Sequence, residues 1–125
     1  MNAKDIMIGN LVLYNGNPME VTLVNNDGGV VAKSVSNKLP PVLTSADEFD
    51  PIPLTEATLV KNGFDKKSKA YFRFENVSVF ECDSEWHISI SKSDDCNIYI
   101  DGYIKYVHQL QNLLRMCNIS KIIEL

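Results

Sequence analysis

The chain has 125 residues, a formal net charge of -4, and a composition that is 45% hydrophobic, 22% charged and 9% aromatic. Apolar content this high, with mixed charge, excludes a disordered chain, and six Gly and five Pro exclude collagen-like or linker-like material. The length suits one domain or two very small ones, able to bury roughly two-thirds of their unfolded surface without a disulfide or metal staple.

Twelve Lys and Arg against sixteen Asp and Glu set a pI near 5.1. Duplex binding draws most of its affinity from phosphate neutralisation, so a basic excess is its usual mark, and none is present. The split is uneven. Residues 1–54 hold three Lys and six acids, net -3; residues 55–125 hold nine basic and ten acidic residues, net -1. The three Cys, at 82, 96 and 117, are odd in number and widely spaced, which predicts reduced thiols in place of a disulfide framework. No apolar run approaches the roughly 18 residues of a membrane span. Met1-Asn2-Ala3-Lys4-Asp5 lacks the apolar centre of a signal peptide. The expectation is a cytoplasmic protein with no membrane association.

The first 54 residues read as short strands separated by turns. Leu11-Val12-Leu13-Tyr14 is rich in strand formers, and Asn15-Gly16 follows as a hairpin signal, because both residues tolerate positive φ. Met19 to Val24 alternates and returns as a second strand. After the turn cluster Asn25-Asn26-Asp27-Gly28-Gly29, Val30 to Val35 forms a third. Ser36 to Leu43, with Pro40-Pro41, reads as loop or as a poorly paired edge. Ser45-Ala46-Asp47-Glu48 reads as one helical turn with Ser45 as its N-cap. Phe49 to Pro53 is extended, since a residue before Pro is pushed out of the α region. Three meandering strands, a helical turn and a short closing strand form a pattern that resembles a small SH3-like β-barrel. Such barrels serve many functions, so the pattern carries none by itself.

Thr55 to Asn62 reads as a short helix with Thr55 as N-cap and Glu56 suited to the positive end of the dipole. Gly63 supplies a left-handed stop, and Phe64 folds back onto Leu59. Four strands follow: Tyr71 to Phe74, Val77 to Cys82, Trp86 to Ser91 and Asn97 to Asp101. Their short connections make them antiparallel neighbours. Apolar spacing then predicts a helix from about Tyr103 to Cys117, with Tyr103, Val107, Leu110, Leu113, Leu114 and Cys117 as its buried stripe. Lys105, Gln109, Asn112 and Arg115 fall on its wet side. Asn118 reads as a left-handed cap, and Ile122-Ile123 as a tail strand or a packed clasp. The fold class is therefore α+β: an SH3-like unit over 1–54, then an α-β-β-β-β-α unit over 55–125, with the helices on one face of the sheet. The two units either stand apart or pack as one domain.

Two stretches carry a family likeness. One is Pro51-Ile52-Pro53-Leu54-Thr55-Glu56, running to Leu59 and Asn62-Gly63-Phe64. The other is Gly102-Tyr103-Ile104-Lys105-Tyr106-Val107-His108-Gln109-Leu110-Gln111, running to Leu114-Arg115-Met116-Cys117-Asn118-Ile119. With the opening Ile6-Met7-Ile8-Gly9-Asn10, the chain resembles a family of small uncharacterised proteins common in Bacteroides-type gut bacteria and their prophages or mobile elements. One departure is Asn118, where such proteins often carry Gly; Asn accepts the same conformation. The resemblance implies a setting and brings with it no catalytic residue and no cofactor.

The residues themselves supply no catalytic constellation. His87 and His108 with Cys82 and Cys96 lack the close pairing of structural zinc ligands. Cys117 sits on an apolar stripe, and Cys96 follows two Asp that disfavour its thiolate, so neither makes a convincing nucleophile with His108. Asp94-Asp95 and Glu81/Asp83/Glu85 read as solvated turn acids in place of facing carboxylates. Asp27-Gly28-Gly29 lacks the Lys-Ser/Thr of a phosphate loop.

One sheet face stands out. Alternation directs Phe72, Phe74, Val77, Val79, Trp86, Ile88, Ile90, Ile98 and Ile100 to the helix side. The outer side then carries Tyr71, Arg73, Ser78, Phe80, Cys82, His87, Ser89, Ser91 and Tyr99. Tyr71, Arg73, Phe80, His87 and Tyr99 are the candidate partner-binding residues. Aromatics beside Arg can anchor a protein partner or stack single-stranded bases. The RNA-recognition motif itself is not matched. The opposing expectation is a solvated face, or one covered by the N-terminal unit. The leading expectation is a non-enzymatic interaction module with an unidentified protein partner. The alternatives are a single-stranded nucleic-acid binder using this face, and a small enzyme with a site between the units.

Overall fold

The structure is a computed structural model of the chain. It describes residues 1–83, 85–91 and 99–125, with residues 91 and 99–101 by backbone alone. The fold is α+β and includes a sheet curled into a half barrel. Two compact units make it up: Met1–Ile52 with Tyr106–Asn112, and Pro53–Lys105 with Leu113–Leu125. Helix α1 (Glu56–Lys61) lies in the second unit, and helix α2 (Val107–Met116) is divided between the two. The sequence reading placed the boundary near Leu54 and gave the whole last helix to the second unit. The structure places it after Ile52 and gives Tyr106–Asn112 to the first.

The first unit holds a five-stranded sheet of β1 (Leu11–Tyr14), β2 (Asn17–Val24), β3 (Gly29–Ser34), β4 (Val42–Ser45) and β5 (Phe49–Asp50). The order is β4-β3-β2-β1-β5, with every neighbour antiparallel. Asn15 and Gly16 take φ of 49° and 79°, the two left-handed positions of a tight hairpin turn. Val42–Ser45 pairs with β3, so the segment expected as loop or weak edge becomes strand at its end. Val42 packs on the core of Val12, Met19, Val21, Val30 and Phe49, which is what recruits it. Ser45 caps a 3-10 turn at Ala46–Glu48, its Oγ accepting from the Asp47 N–H at 3.4 Å.

Strict alternation along β2 would send Leu23 inward after Met19 and Val21. A bulge between Val21 and Leu23 reverses the phase. Val24 then packs on the core, and Leu23 turns out, 47% exposed.

The helical segment of this unit is held by amides. Asn10 is fully buried; its Oδ1 accepts from the Met7 N–H at 2.7 Å, and its Nδ2 donates to Asn112 Oδ1 at 2.7 Å. Asn112 Nδ2 donates onward to the Asp5 carbonyl at 3.3 Å. Gln111 accepts from the Leu11 N–H at 2.9 Å and donates to the Gly9 carbonyl at 3.1 Å. Asn112, expected on the wet side of its helix, is thus a structural contact.

In the second unit the sheet has five strands: β6 (Asp65–Ser68), β7 (Tyr71–Phe74), β8 (Val77–Cys82), β9 (Glu85–Ser91) and β10 (Tyr99–Ile104), ordered β10-β9-β8-β7-β6. Two differences from the expected four strands have physical causes. Strand β6 reads Asp-Lys-Lys-Ser, all exposed, so an edge strand of this kind shows no apolar alternation. Tyr103 and Ile104 belong to β10, paired with His87 and Trp86, and not to the helix. Helix α2 begins only at Val107, where the Gln109 side chain reaches back to the Tyr106 N–H at 3.1 Å. The expected strand start at Asn97 and Ile98 lies outside the described residues.

Both helix ends follow the expected caps. Thr55 Oγ1 accepts from the Thr58 N–H at 3.3 Å. Gly63 has φ 86°, and the Phe64 N–H donates to the Leu59 carbonyl at 3.0 Å. Asn118 takes φ 57°, and the Ile119 N–H donates to the Leu114 carbonyl at 2.9 Å, so Asn does here what Gly does after α1. The tail is a clasp: Ile123 is buried, and Asn62 accepts from the Glu124 N–H and donates to its carbonyl, each at 2.7 Å.

An Asn10→Ala variant leaves the Met7 N–H without its acceptor and the Asn112 Oδ1 without its donor, and its unfolding free energy should fall by about 2–3 kcal/mol in a urea titration. A fragment of residues 1–54, lacking the α2 segment, should give no cooperative thermal transition by circular dichroism.

Candidate functional site: the outer face of the second sheet

Burial separates the two faces of the second sheet. Phe72, Val77, Val79, Trp86, Ile88 and Ile90 are buried, while Tyr71, Ser78, Phe80, His87 and Ser89 are half-buried and Arg73 is exposed. Trp86 is tied down on the buried side, its Nε1 donating to the Leu54 carbonyl at 2.8 Å.

Strand register builds an aromatic row on the outer side. Tyr71 pairs with Phe80, Phe80 with His87, and His87 with Tyr103. Directly opposed residues share a face, so these side chains line up across β7, β8, β9 and β10. Ring centroids are 6.4 Å apart for Tyr71–Phe80, 4.4 Å for Phe80–His87 and 5.0 Å for His87–Tyr103. The Phe80–His87 pair is edge-on, the favoured geometry for rings this close. The Tyr71 hydroxyl is fixed to the Ser78 hydroxyl at 3.0 Å. The row ends in Tyr103, which is 61% exposed.

Of the five candidate residues, three therefore meet. Arg73 stands one row away, aligned with Ser78 and Ser89, and donates through Nε to the Glu75 carbonyl at 2.9 Å. Tyr99 is the first residue of β10, paired with Ser91 and four positions from Tyr103, roughly 13 Å along the strand. The backbone register thus puts it outside the row. Tyr103 was missed because the helical spacing to Val107 and Leu110 claimed it. The competing signal was alternation through Tyr99, Asp101 and Tyr103.

The cations beside the row have acidic neighbours. Arg73 lies opposite Asp65 in the register, and Lys105 pairs with Glu85 at 3.6 Å.

Other sequence candidates disperse. Cys82 is exposed and Cys117 half-buried, and both are free thiols. Cys96, Asp94 and Asp95 lie outside the described residues. Among the described residues no three His, Cys, Asp or Glu side chains gather as metal ligands would. An open cleft of about 490 Å³ in the first unit is bordered by Met1, Asp27, Ser45 and Asp47. Among the described residues no helix is long and apolar enough to cross a membrane.

His108 is buried, stacked at 5.8 Å on Tyr106. It shares with Gln111 and Asn112 the helix face that meets residues 5–11, a face the apolar stripe did not reveal. Its Nδ1 has no hydrogen-bond partner among the described residues. Burial lowers its pKa from the ordinary 6.5, Asp5 raises it in part, and the amino terminus lowers it again.

Comparison with known protein families, curated proteins and solved structures finds no match to this chain.

The His108 shift fixes the sign of a pH effect. With the folded value depressed, the unfolded chain binds more protons just below pH 6.5, so stability is complete above that value. It declines as the pH falls through 6.5 toward the lower folded value, and levels off beneath it. The urea midpoint should therefore drop between about pH 7 and pH 5, and His108→Phe should flatten that slope.

Proposed function

We propose that this protein is a non-enzymatic interaction module that binds a protein partner through the outer face of its second sheet. The observation that carries the reading is the cross-strand row Tyr71–Phe80–His87–Tyr103, ending in an exposed Tyr. Large, stiff rings supply contact area at little cost in side-chain entropy, and Tyr and Arg are the common energetic anchors of protein interfaces. Three ring-to-ring contacts hold these side chains in place before a partner arrives.

Charge favours protein over nucleic acid. Binding a phosphate backbone releases counterions in proportion to the unneutralised cations on the face. Here Arg73 sits opposite Asp65, and Lys105 is paired with Glu85. A single-stranded nucleic acid is the second reading, supported by the same rings as stacking platforms. The SH3-like character of the first unit belongs to the proposal too, supported by its four-stranded antiparallel meander, a 3-10 turn and a short β5 that returns to pair with β1. A cytoplasmic setting rests on the three widely spaced cysteines read as reduced thiols, and a prophage or mobile-element setting on the sequence resemblance.

Affinity capture with immobilised wild-type protein and with Tyr103→Ser, compared quantitatively, tests the reading. The Ser variant should lose the same protein that the wild type enriches, by about tenfold or more. Equal recovery by both defeats it. A fluorescence titration with labelled oligonucleotides at low salt decides the second reading; tight binding abolished by Tyr103→Ser would replace the first.

A further inference from the structure

Strand β4 is an edge of the first sheet, and it is left open for pairing. The other edge, β5, is only two residues long. The β6 edge in the second sheet carries Asp65, Lys66 and Lys67, a charge set that repels another strand. Strand β4 reads Val-Leu-Thr-Ser, with no charge and no Pro within it.

Its outward side carries Leu43 beside Ser45. Leu43 pairs with Val31, and Val31 with Leu23, so the three share a face across β4, β3 and β2. Leu43 is 69% exposed and Leu23 47%. The β2 bulge creates this row, since unbroken alternation would have buried Leu23.

We infer that β4 pairs antiparallel with β4 of a second copy of this chain, with Leu43 opposite Leu43 across a two-fold axis. The apolar row then runs unbroken through both copies, from Leu23 to Leu43 and back again. Charge picks the occupant. Lys38 precedes the strand, and Asp47 and Glu48 follow it; all three are exposed, and none makes an ion pair among the described residues. An antiparallel copy centred on Leu43 brings Lys38 of each chain to the end where Glu48 and Asp47 of the other lie. A two-fold interface repeats each favourable contact twice. This surface belongs to the first unit and is independent of the aromatic row.

Sedimentation velocity on the full chain, from about 1 to 200 µM, tests the pairing. The wild type should shift from monomer to dimer within that range. Leu43→Lys should raise the dissociation constant at least about tenfold by placing like charges opposite each other. Lys38→Glu should weaken the dimer about two- to fivefold for each of the two symmetric contacts. Combining Lys38→Glu with Asp47→Lys and Glu48→Lys should restore it. A monomer throughout the range overturns the inference, as does a dimer unmoved by Leu43→Lys and Lys38→Glu. Should Leu43→Lys fail to fold by circular dichroism, loss and rescue in the charge-swap series decide the matter alone.

Discussion

The buried carboxamide of Asn10 joins two parts of the chain that lie 102 residues apart, and the first unit depends on that join. Residues 5–11 offer the helix backbone groups outside the sheet ladder, at Asp5, Gly9 and Leu11. Gln111 and Asn112 supply the missing donors and acceptors from the helix. Each such bond contributes about 1 kcal/mol net, but leaving one unmade in a buried site costs about 1–3. The network ties the α2 segment to residues 5–11, at the entry to the first strand of the sheet. His108 lies on the same helix face as Gln111 and Asn112, so the helix presents a polar side to its surroundings as well as the apolar stripe.

A second constraint is the bulge in β2. One extra residue near Thr22 exchanges the faces of the residues that follow. It lets Val24 seal the core and turns Leu23 out beside Val31 and Leu43. A local irregularity of backbone thus decides which apolar residues build the interior and which lie on the surface. In the second unit register has the same role. The pairing of β7 through β10 gathers residues from four strands into one line, at centroid spacings of 4.4–6.4 Å. Neither arrangement follows from any one segment alone.

Much of the local structure was legible. The Asn15-Gly16 hairpin, the caps at Ser45 and Thr55, and the Gly63 and Asn118 stops all appear where short-range chemistry puts them. These depend on residues within a few positions of one another. The edge strands were harder to see. Strand β6 has no apolar period to detect, and β4 is recruited by the core its neighbours form. Tyr103 could satisfy a helical period with Val107 or a strand period with Tyr99 and Asp101, and only pairing with β9 chose between them.

The sequence by itself determined the α+β class, the turns and helix caps, and which side of the second sheet turns its polar residues outward, because those follow from backbone sterics and strand alternation. The tertiary structure decided that residues 106–112 complete the first unit, that His108 is buried, and that Tyr71, Phe80, His87 and Tyr103 form one row while Arg73 and Tyr99 stand off it. These outcomes depend on register and on partners far away in the chain, and neither leaves a trace in the spacing of neighbouring residues.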